Sequence, residues 1–184
     1  MNGETFYFYW SGSFHRSVDG AANFARTASL PDPGRAGEDA DRTAVKAAPG
    51  LEGEVWVNLE ENGLYRSSDG GNTFVKLRSV QQATLFVFGK NPPGKAHPGV
   101  FVLGRVGNEQ GVFRSDDMGA SWLKVSAPYP ALGDTPQAME GDRQMFGRVY
   151  IGANGRGVYF GEPASENAGG ADVPLDVLVT GTKR

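Results

Sequence analysis

One turn sequence occurs three times along the chain and constrains its fold more than any other feature. Its fullest copy runs from Ser67 to Phe74 and reads Ser-Ser-Asp-Gly-Gly-Asn-Thr-Phe. It follows the segment 64–67, whose alternating pattern predicts a β-strand. The carboxylate of Asp69 can accept hydrogen bonds from nearby backbone N–H groups, and Gly70 and Gly71 tolerate positive φ. The Ser67 hydroxyl can add a bond to the same turn. The pattern predicts a tight turn between two β-strands, covered by the ring of Phe74.

Two other segments repeat this pattern at almost constant spacing. The third copy has Ser121 in place of threonine, and the first is weaker, with Ala21 for glycine and Asn23 for threonine. The first serines, Ser17, Ser67 and Ser115, are 50 and 48 residues apart. Such a period is typical of a repeat architecture. The residues expected to form the three turns are Ser17, Asp19 and Phe24; Ser67, Asp69, Gly71 and Phe74; and Ser115, Asp117, Gly119 and Trp122.

The period matches the blades of a β-propeller, which contain four strands in about 40–50 residues. We expect an all-β chain with negligible helix and a partial propeller over residues 1–163. Its four blades are predicted at about residues 2–30, 42–80, 82–128 and 136–162, with a linker and a possible extra strand at 164–184. Within them we expect an outer strand over 73–80, an inner strand over 84–88 and a loop over 105–110. No innermost strand precedes residue 5, so the chain is expected to start within a blade.

Composition restricts the classes of function. The 184 residues include 18 Lys+Arg and 21 Asp+Glu, which provide no basic footprint for nucleic acid. The absence of cysteine excludes disulfides and thiolate metal sites. No apolar run approaches the roughly 20 residues needed to span a membrane. No basic segment followed by an apolar core opens the chain, so we predict no signal peptide in it. From the charge balance and the lack of a long apolar run, we expect neither nucleic acid nor a membrane as a partner.

The sequence offers little support for a metal or cofactor. His15 lies in a predicted strand and His97 in a Pro-rich turn, and neither has a second ligand at metal-binding spacing. There is no twelve-residue Ca²⁺ loop, no phosphate-binding loop followed by a helix, and no Gly-x-Ser-x-Gly elbow. We therefore expect no cofactor and no metal.

The acids of the repeated turns are more easily explained as structural than as catalytic groups. Asp19, Asp69 and Asp117 occupy the same position of each copy. A catalytic acid is normally singular, whereas a turn acid recurs with its turn. The repetition therefore favours hydrogen bonding to the backbone over chemistry on a substrate.

The repeated turn resembles the Asp-box of sialidase-type and xyloglucanase-type propellers. There it links the third and fourth strands of a blade, on the face away from the active site. Segments 49–56, 63–74, 111–122 and 147–159 follow one another as in the C-terminal part of the second propeller of family 74 glycoside hydrolases, the xyloglucanase type. The resemblance covers about residues 2–163.

The resemblance implies a protein with two seven-bladed propellers that face one another across a polysaccharide cleft. Xyloglucan or a related β-glucan would be hydrolysed with inversion by two Asp residues, one from each propeller. Neither falls within this chain, so no catalytic residue is expected here. The partners would be the polysaccharide, the missing blades and the N-terminal propeller, and the location would be secreted or extracytoplasmic.

The loops expected on the face opposite the Asp-boxes supply the candidate saccharide contacts. Those singled out are Trp10, Tyr129 and Arg156, an aromatic pair and a cation suited to a sugar. The other polar groups of these loops are Glu60, Glu61, Arg105, Glu109, Asn154, Asp32, Asp39, Asp41 and Asp134. The alternative is that Trp10 packs between blades and that the charged groups are only solvated.

A second function stays open at this point. Asp-boxes also occur in non-catalytic propellers of the sortilin or photosystem-assembly kind, which serve binding or assembly. The ending Gly-Arg-Val-Tyr-Ile-Gly-Ala-Asn-Gly-Arg-Gly at 147–157 resembles the hydrolases instead. The sequence therefore favours a piece of a glycoside hydrolase over a binding module.

Overall fold

The computed structural model describes residues 3–32, 43–126, 136–153 and 157–163, and the backbone of 179–180. All regular structure in these ranges is β-strand, which confirms the all-β prediction. No helix that could cross a membrane is found in the part of the chain described. The chain divides into two compact units, Met1–Thr84 and Leu85–Arg184.

The first unit contains two antiparallel sheets whose strands are neighbours in sequence. The first sheet has the order β1-β2-β3 and the second the order β4-β5-β6-β7. Their strands are β1 (Phe6–Trp10), β2 (Ser13–Ser17), β3 (Ala25–Ser29), β4 (Ala44–Ala47), β5 (Val55–Asn58), β6 (Leu64–Ser67) and β7 (Val75–Lys76). Ser67 ends β6, so the repeated turn joins β6 to β7, as the sequence predicts.

Two further sheets complete the described structure. The third has the order β11-β10-β9-β8 and the fourth the order β12-β13-β14-β15. Their strands are β8 (Val80–Phe88), which begins in the first unit, β9 (Val100–Val106), β10 (Glu109–Ser115), β11 (Leu123–Lys124), β12 (Pro136–Gly141), β13 (Val149–Ala153), β14 (Gly157–Gly161) and β15 (Val179–Thr180).

Each unit buries its own apolar cluster. In the first unit, Phe14 of the first sheet packs with Val55, Val57 and Tyr65 of the second. In the second unit, Phe101 of the third sheet packs with members of the fourth such as Ile151. Alternation along the strands determines which residues enter these clusters, because successive side chains point to opposite faces of a sheet. Tyr7 and Tyr9 accordingly pack against the first cluster, whereas their neighbours in β1 do not.

The predicted loop over 105–110 is wrong. Strand β9 continues to Val106 and β10 begins at Glu109, with Glu109 and Val106 as register partners. Only two residues join the strands, and Gly107 has a φ of 59°, the left-handed conformation that a two-residue hairpin turn requires. Arg105 and Glu109 therefore lie in strands rather than in a loop.

The predicted strands around residue 80 also need correction. The outer strand β7 pairs only at Val75 and Lys76, and β8 begins at Val80 rather than at residue 84. The Val80 N–H donates to the Leu77 carbonyl, which closes a turn and ends the outer strand. The Val80 side chain is fully buried, so the chain is already in the next sheet at this residue.

Candidate functional site

The second Asp-box turn is held by hydrogen bonds from one serine and one aspartate. The buried Ser67 hydroxyl donates to Asp69 Oδ1 at 2.7 Å and accepts from the Gly71 N–H at 2.8 Å. Asp69 Oδ1 accepts from the N–H groups of Asn72 and Thr73 at 3.0 and 2.9 Å. Asp69 Oδ2 accepts from the Thr73 hydroxyl at 2.6 Å. Both carboxylate oxygens are therefore occupied within the turn.

The third copy has the same arrangement with serine in place of threonine. Ser115 donates to Asp117 at 2.8 Å and accepts from the Gly119 N–H at 2.8 Å. The Ser121 N–H and hydroxyl donate to the two oxygens of Asp117. Serine and threonine supply the same hydroxyl donor, so the substitution preserves the network.

The first copy reaches the same result with different side chains. Ser17 donates to Asp19 at 2.6 Å and accepts from the Ala21 N–H at 3.0 Å. The Asn23 backbone N–H donates to Asp19 Oδ1 at 3.0 Å, and its side-chain amide donates to Oδ2 at 2.8 Å. The amide of Asn23 replaces the hydroxyl of threonine, which explains why the sequence match is weaker although the turn is intact.

These hydrogen bonds determine the protonation of the turn acids. The bond from Thr73 and further donors lower the pKa of Asp69 to about 2. The Ser17 hydroxyl, with the Asn23 donors, lowers the pKa of Asp19 to about 2. Burial opposes the change at Asp117, but the combined bonds from Ser121 and Ser115 still lower its pKa. A general acid needs a raised pKa, so these three carboxylates are poorly suited to protonate a leaving group.

Each turn contains two successive residues with positive φ. They are Gly70 and Gly71 in the second copy, Gly20 and Ala21 in the first, and Met118 and Gly119 in the third. Ala21 has a φ of 70° and Met118 a φ of 59°, a conformation that L-residues with a side chain rarely adopt. The turn thus tolerates one non-glycine residue at either position.

The aromatic residue that follows each turn has a different environment in each copy. The Phe74 ring packs edge-on against Phe14, with ring centroids 4.7 Å apart. Phe24 is 40% exposed and contacts Phe8 of its own sheet at 4.9 Å. Trp122 is half-buried, and its indole N–H is shielded from solvent without a hydrogen-bond partner.

Of the three candidate saccharide contacts, only Trp10 lies among the described residues. Trp10 ends β1 and is 60% exposed. Tyr129 and Arg156 lie outside the described residues, as do Asp39, Asp41, Asp134 and Asn154. Their roles stay predictions.

Of the other acids that the sequence placed in loops, Glu61 and Glu109 have side-chain partners in the structure, and Glu60 has a backbone partner. Glu61 accepts a hydrogen bond from Gln82, and Glu60 bridges to Ala83 in the backbone. Glu109 forms an ion pair with Lys124 at 2.7 Å, on the surface of the third sheet. For these three glutamates, the contacts fit structural roles at the surface.

A partly buried ion pair that the sequence analysis missed lies in the second sheet. Glu54 is 6% exposed and accepts hydrogen bonds from Arg66 Nε and Trp56 Nε1, each at 2.6 Å. The Arg66 guanidinium also lies over the Trp56 ring, 5.9 Å from its centroid. An arginine directly precedes the serine of every copy, at Arg16, Arg66 and Arg114. The recurrence of arginine at this position was the sequence signal from which a shared structural role could have been predicted.

The other two arginines of this set contact a neighbouring sheet within their own unit. Arg16 donates to the Gly70 carbonyl at 3.1 Å. Arg114 lies over the Phe146 ring at 4.7 Å and also pairs with Asp116. A cleft of about 300 Å³ opens beside the first contact, lined by Tyr7, Arg16, Glu52 and Gly70 among others. Arg16 thus links the two sheets of the first unit by a hydrogen bond.

Each of the two histidines contacts a nearby residue of the chain. His15 stacks on Phe8, with ring centroids 4.5 Å apart, and His97 Nδ1 lies 3.2 Å from the Pro98 carbonyl. Within the described ranges, no three His, Cys, Asp or Glu side chains lie together as possible metal ligands.

Comparison with curated proteins finds xyloglucanases. Xyloglucanase Xgh74A of Acetivibrio thermocellus is 40% identical over 166 residues, which are 90% of this chain and 19% of that protein. A xyloglucanase of a Paenibacillus species is 34% identical over 180 residues, 95% of this chain and 17% of that protein. No protein-family model matches the chain. The chain thus spans about a fifth of the length of these relatives.

Solved structures lead to the same group. The crystal structure of a GH74 enzyme from Niastella koreensis matches with a TM-score of 0.73 and 30% identity, covering 86% of this chain and 23% of that one. The GH74 xyloglucanase of Xanthomonas campestris matches with a TM-score of 0.71 and 31% identity, covering 83% and 21%. In sequence and in fold, the chain is therefore homologous to a segment of the family 74 xyloglucanases and is a fragment of a larger propeller.

Proposed function

We propose that the chain is part of the second propeller of an enzyme that hydrolyses xyloglucan or a related β-glucan. The observation that carries the proposal is 40% identity over 90% of the chain to a xyloglucanase. The order of the Asp-box sheets and the GH74 structural neighbours support it. The complete enzyme would act on a polysaccharide outside the cytoplasm.

The chain itself would contribute a wall of the substrate cleft and no catalytic carboxylate. Inverting hydrolysis needs an acid and a base about 6.5–9.5 Å apart on opposite sides of the sugar. The repeated acids Asp19, Asp69 and Asp117 bind their own turns and have lowered pKa values. Tyr129 and Arg156 are the proposed saccharide contacts, with Trp10 as the third candidate.

The test is release of reducing sugar from xyloglucan by the 184-residue chain and by the complete encoded protein. We expect turnover by the complete protein and none by the shorter chain. Turnover by the shorter chain that is lost in Glu60→Gln or Asp134→Asn would place the catalytic acids here and contradict the proposal. Polysaccharide binding by the complete protein without hydrolysis would support a non-catalytic binding propeller instead.

A further inference from the structure

We propose that the cleft beside Arg16 binds a short neutral saccharide. We call it the Arg16 cleft, and Tyr7, Arg16, Val18, Leu51 and Glu52 of the first unit line it. Its volume of about 300 Å³ is at the lower end of the range typical of small-molecule sites. The proposal concerns binding rather than hydrolysis, and it rests on the function proposed above only for the choice of sugar in the test.

The Asp-box repeat identifies an equivalent arginine in the second unit, and that arginine has an ion-pair partner. Arg16 and Arg114 each precede the first serine of an Asp-box, and Val18 and Asp116 each follow it. Arg114 donates to both carboxylate oxygens of Asp116, at 3.0 and 2.9 Å, and is only 8% exposed. The side chain of Val18 cannot accept a hydrogen bond, so Arg16 lacks this partner.

The loop that faces the arginine differs between the units in the same way. Strands β5 and β13 each begin two residues after a glycine with positive φ, 74° at Gly53 and 81° at Gly147. Glu52 and Phe146 directly precede these glycines and therefore correspond. The Phe146 ring covers the Arg114 guanidinium, with 4.7 Å between the ring centroid and Cζ. In the first unit, a glutamate at this position leaves the cleft open.

Three groups of the Arg16 cleft have hydrogen-bonding capacity that the described residues do not use. A guanidinium carries five N–H donors, and within the described ranges that of Arg16 donates only to the Gly70 carbonyl, at 3.1 Å. The Tyr7 hydroxyl and the Glu52 carboxylate form no hydrogen bond with the described part of the chain. Burial raises the pKa of Tyr7, and the charge of Arg16 opposes this while that of Glu52 adds to it. The hydroxyl is therefore protonated and lies near both charges.

These groups define the kind of ligand that fits the cleft. Arg16 can donate hydrogen bonds, Glu52 can accept them, and the Tyr7 hydroxyl can do both. A simple anion would meet the carboxylate and a simple cation the guanidinium, so neither suits the cleft as a whole. Val18 and Leu51 add apolar surface. A saccharide has hydroxyls that donate and accept, an apolar C–H face and no charge, and it matches all of these groups.

Protection of a thiol from labelling tests the site in the complete encoded protein. Val18→Cys places a thiol in the cleft, and Val75→Cys is the matched control, because these two valines are 64% and 68% exposed. The natural 184 residues contain no cysteine, so each label is assigned by mass spectrometry of the peptide that carries it. Cellobiose, a disaccharide of β-linked glucose, is the probe. At ten times its dissociation constant it should slow labelling at position 18 roughly 10-fold, because only the free site reacts. Labelling at position 75 should not change.

Two results of this experiment would overturn the proposal. Labelling at position 18 that does not slow with cellobiose, or that slows equally at position 75, means that no saccharide occupies the cleft. Slowing by sodium acetate or ammonium chloride but not by cellobiose means that the ligand is charged. Labelling is read without hydrolysis, so a protein that cleaves xyloglucan but fails this test refutes the Arg16 cleft alone.

Variants of the cleft then test whether its own groups hold the sugar. Glu52→Phe, added to Val18→Cys, introduces the aromatic ring that covers the arginine in the second unit, so cellobiose should no longer slow labelling. Glu52→Gln is its control, since it keeps an acceptor of the same size and should retain protection. Tyr7→Phe removes only a hydroxyl and should weaken binding about 2- to 10-fold, the effect of one lost hydrogen bond. Undiminished protection in both Glu52→Phe and Tyr7→Phe would mean that the sugar lies elsewhere and would overturn the site.

Discussion

At the scale of single residues, the Asp-box shows how one geometry survives different side chains. In each copy the carboxylate accepts from the first serine and from both the backbone N–H and the side chain of the residue four positions after the aspartate. That side chain is Thr73, Ser121 or Asn23. A hydroxyl or an amide serves equally well as this side-chain donor, because each can donate one hydrogen bond from about the same distance. The sequence match is therefore a stricter criterion than the structure requires.

Replacement of Asp69 by alanine should lower the free energy of unfolding by about 1–3 kcal/mol, because its backbone and hydroxyl donors lose their acceptor. The measurement is the urea midpoint of the 184-residue chain. Ser68→Ala is the control, since it alters an exposed residue of the same turn. A midpoint of Asp69→Ala no lower than that of the control would contradict the turn role.

The lowered pKa of Asp69 predicts a dependence of stability on pH. A carboxyl group whose pKa is lower in the folded state stabilises that state fully above its ordinary pKa of about 3.9. The contribution is lost as the pH falls through the folded value of about 2. The stability difference between the natural chain and Asp69→Asn should therefore be constant near neutral pH and shrink between about pH 4 and pH 2.

Chemical denaturation at a series of pH values measures this difference. Ser68→Ala introduces no titratable change and should show a constant difference from the natural chain. If the stability difference between the natural chain and Asp69→Asn is equally constant down to pH 2, the turn donors do not lower the pKa of Asp69.

At the scale of elements, the strands and turns were largely predictable, and the errors have physical causes. The Asp-box hairpins follow from local chemistry, since Ser, Asp and Gly specify the turn themselves. The loop over 105–110 was wrong because polar residues at a hairpin end are compatible with extended strands, and Gly107 made the turn shorter than assumed. Contacts between sheets, such as Arg16 with Gly70, depend on residues 54 positions apart. No local pattern specifies them.

Gly71→Ala should destabilise the chain more than Gly50→Ala does. Both glycines have positive φ, so both variants incur backbone strain, but a Cβ at position 50 meets nothing within 4 Å. A Cβ at position 71 would collide with Phe14. The additional cost should be about 1–3 kcal/mol, as for overpacked cores, and thermal or urea unfolding measures it. Equal costs would mean that Phe14 can move aside freely.

At the scale of the molecule, the candidate saccharide site was less predictable than the fold. Repetition identifies structural residues, because the same turn must form in each sheet. Contacts to a substrate are singular, and a single Tyr129 or Arg156 has no internal copy against which it can be compared. Trp10 illustrates the difficulty, since its 60% exposure is compatible with contact to a sugar and with packing against another sheet.

The 184-residue chain should associate with itself through the exposed aromatic residues Phe6 and Phe8 and the edge of β1. An edge strand with exposed aromatic residues and no proline is a ready template for intermolecular pairing. The double variant Phe6→Thr/Phe8→Thr keeps strand-forming residues and should reduce association in sedimentation velocity experiments. Val75→Thr, at an exposed residue elsewhere, is the control. Equal association of all three proteins would contradict this prediction.

Every sheet joins strands that follow one another in sequence, and this order affects how the chain acquires its structure. Most of the hairpins, β8–β9 and β14–β15 excepted, can close over a short loop as soon as the second strand is available. Little loop entropy therefore opposes these first steps. The contact order within a sheet is correspondingly low, which favours rapid folding. During synthesis on the ribosome, completed hairpins can form while later strands are still being made. Docking of one sheet on the next then becomes the slow, long-range step.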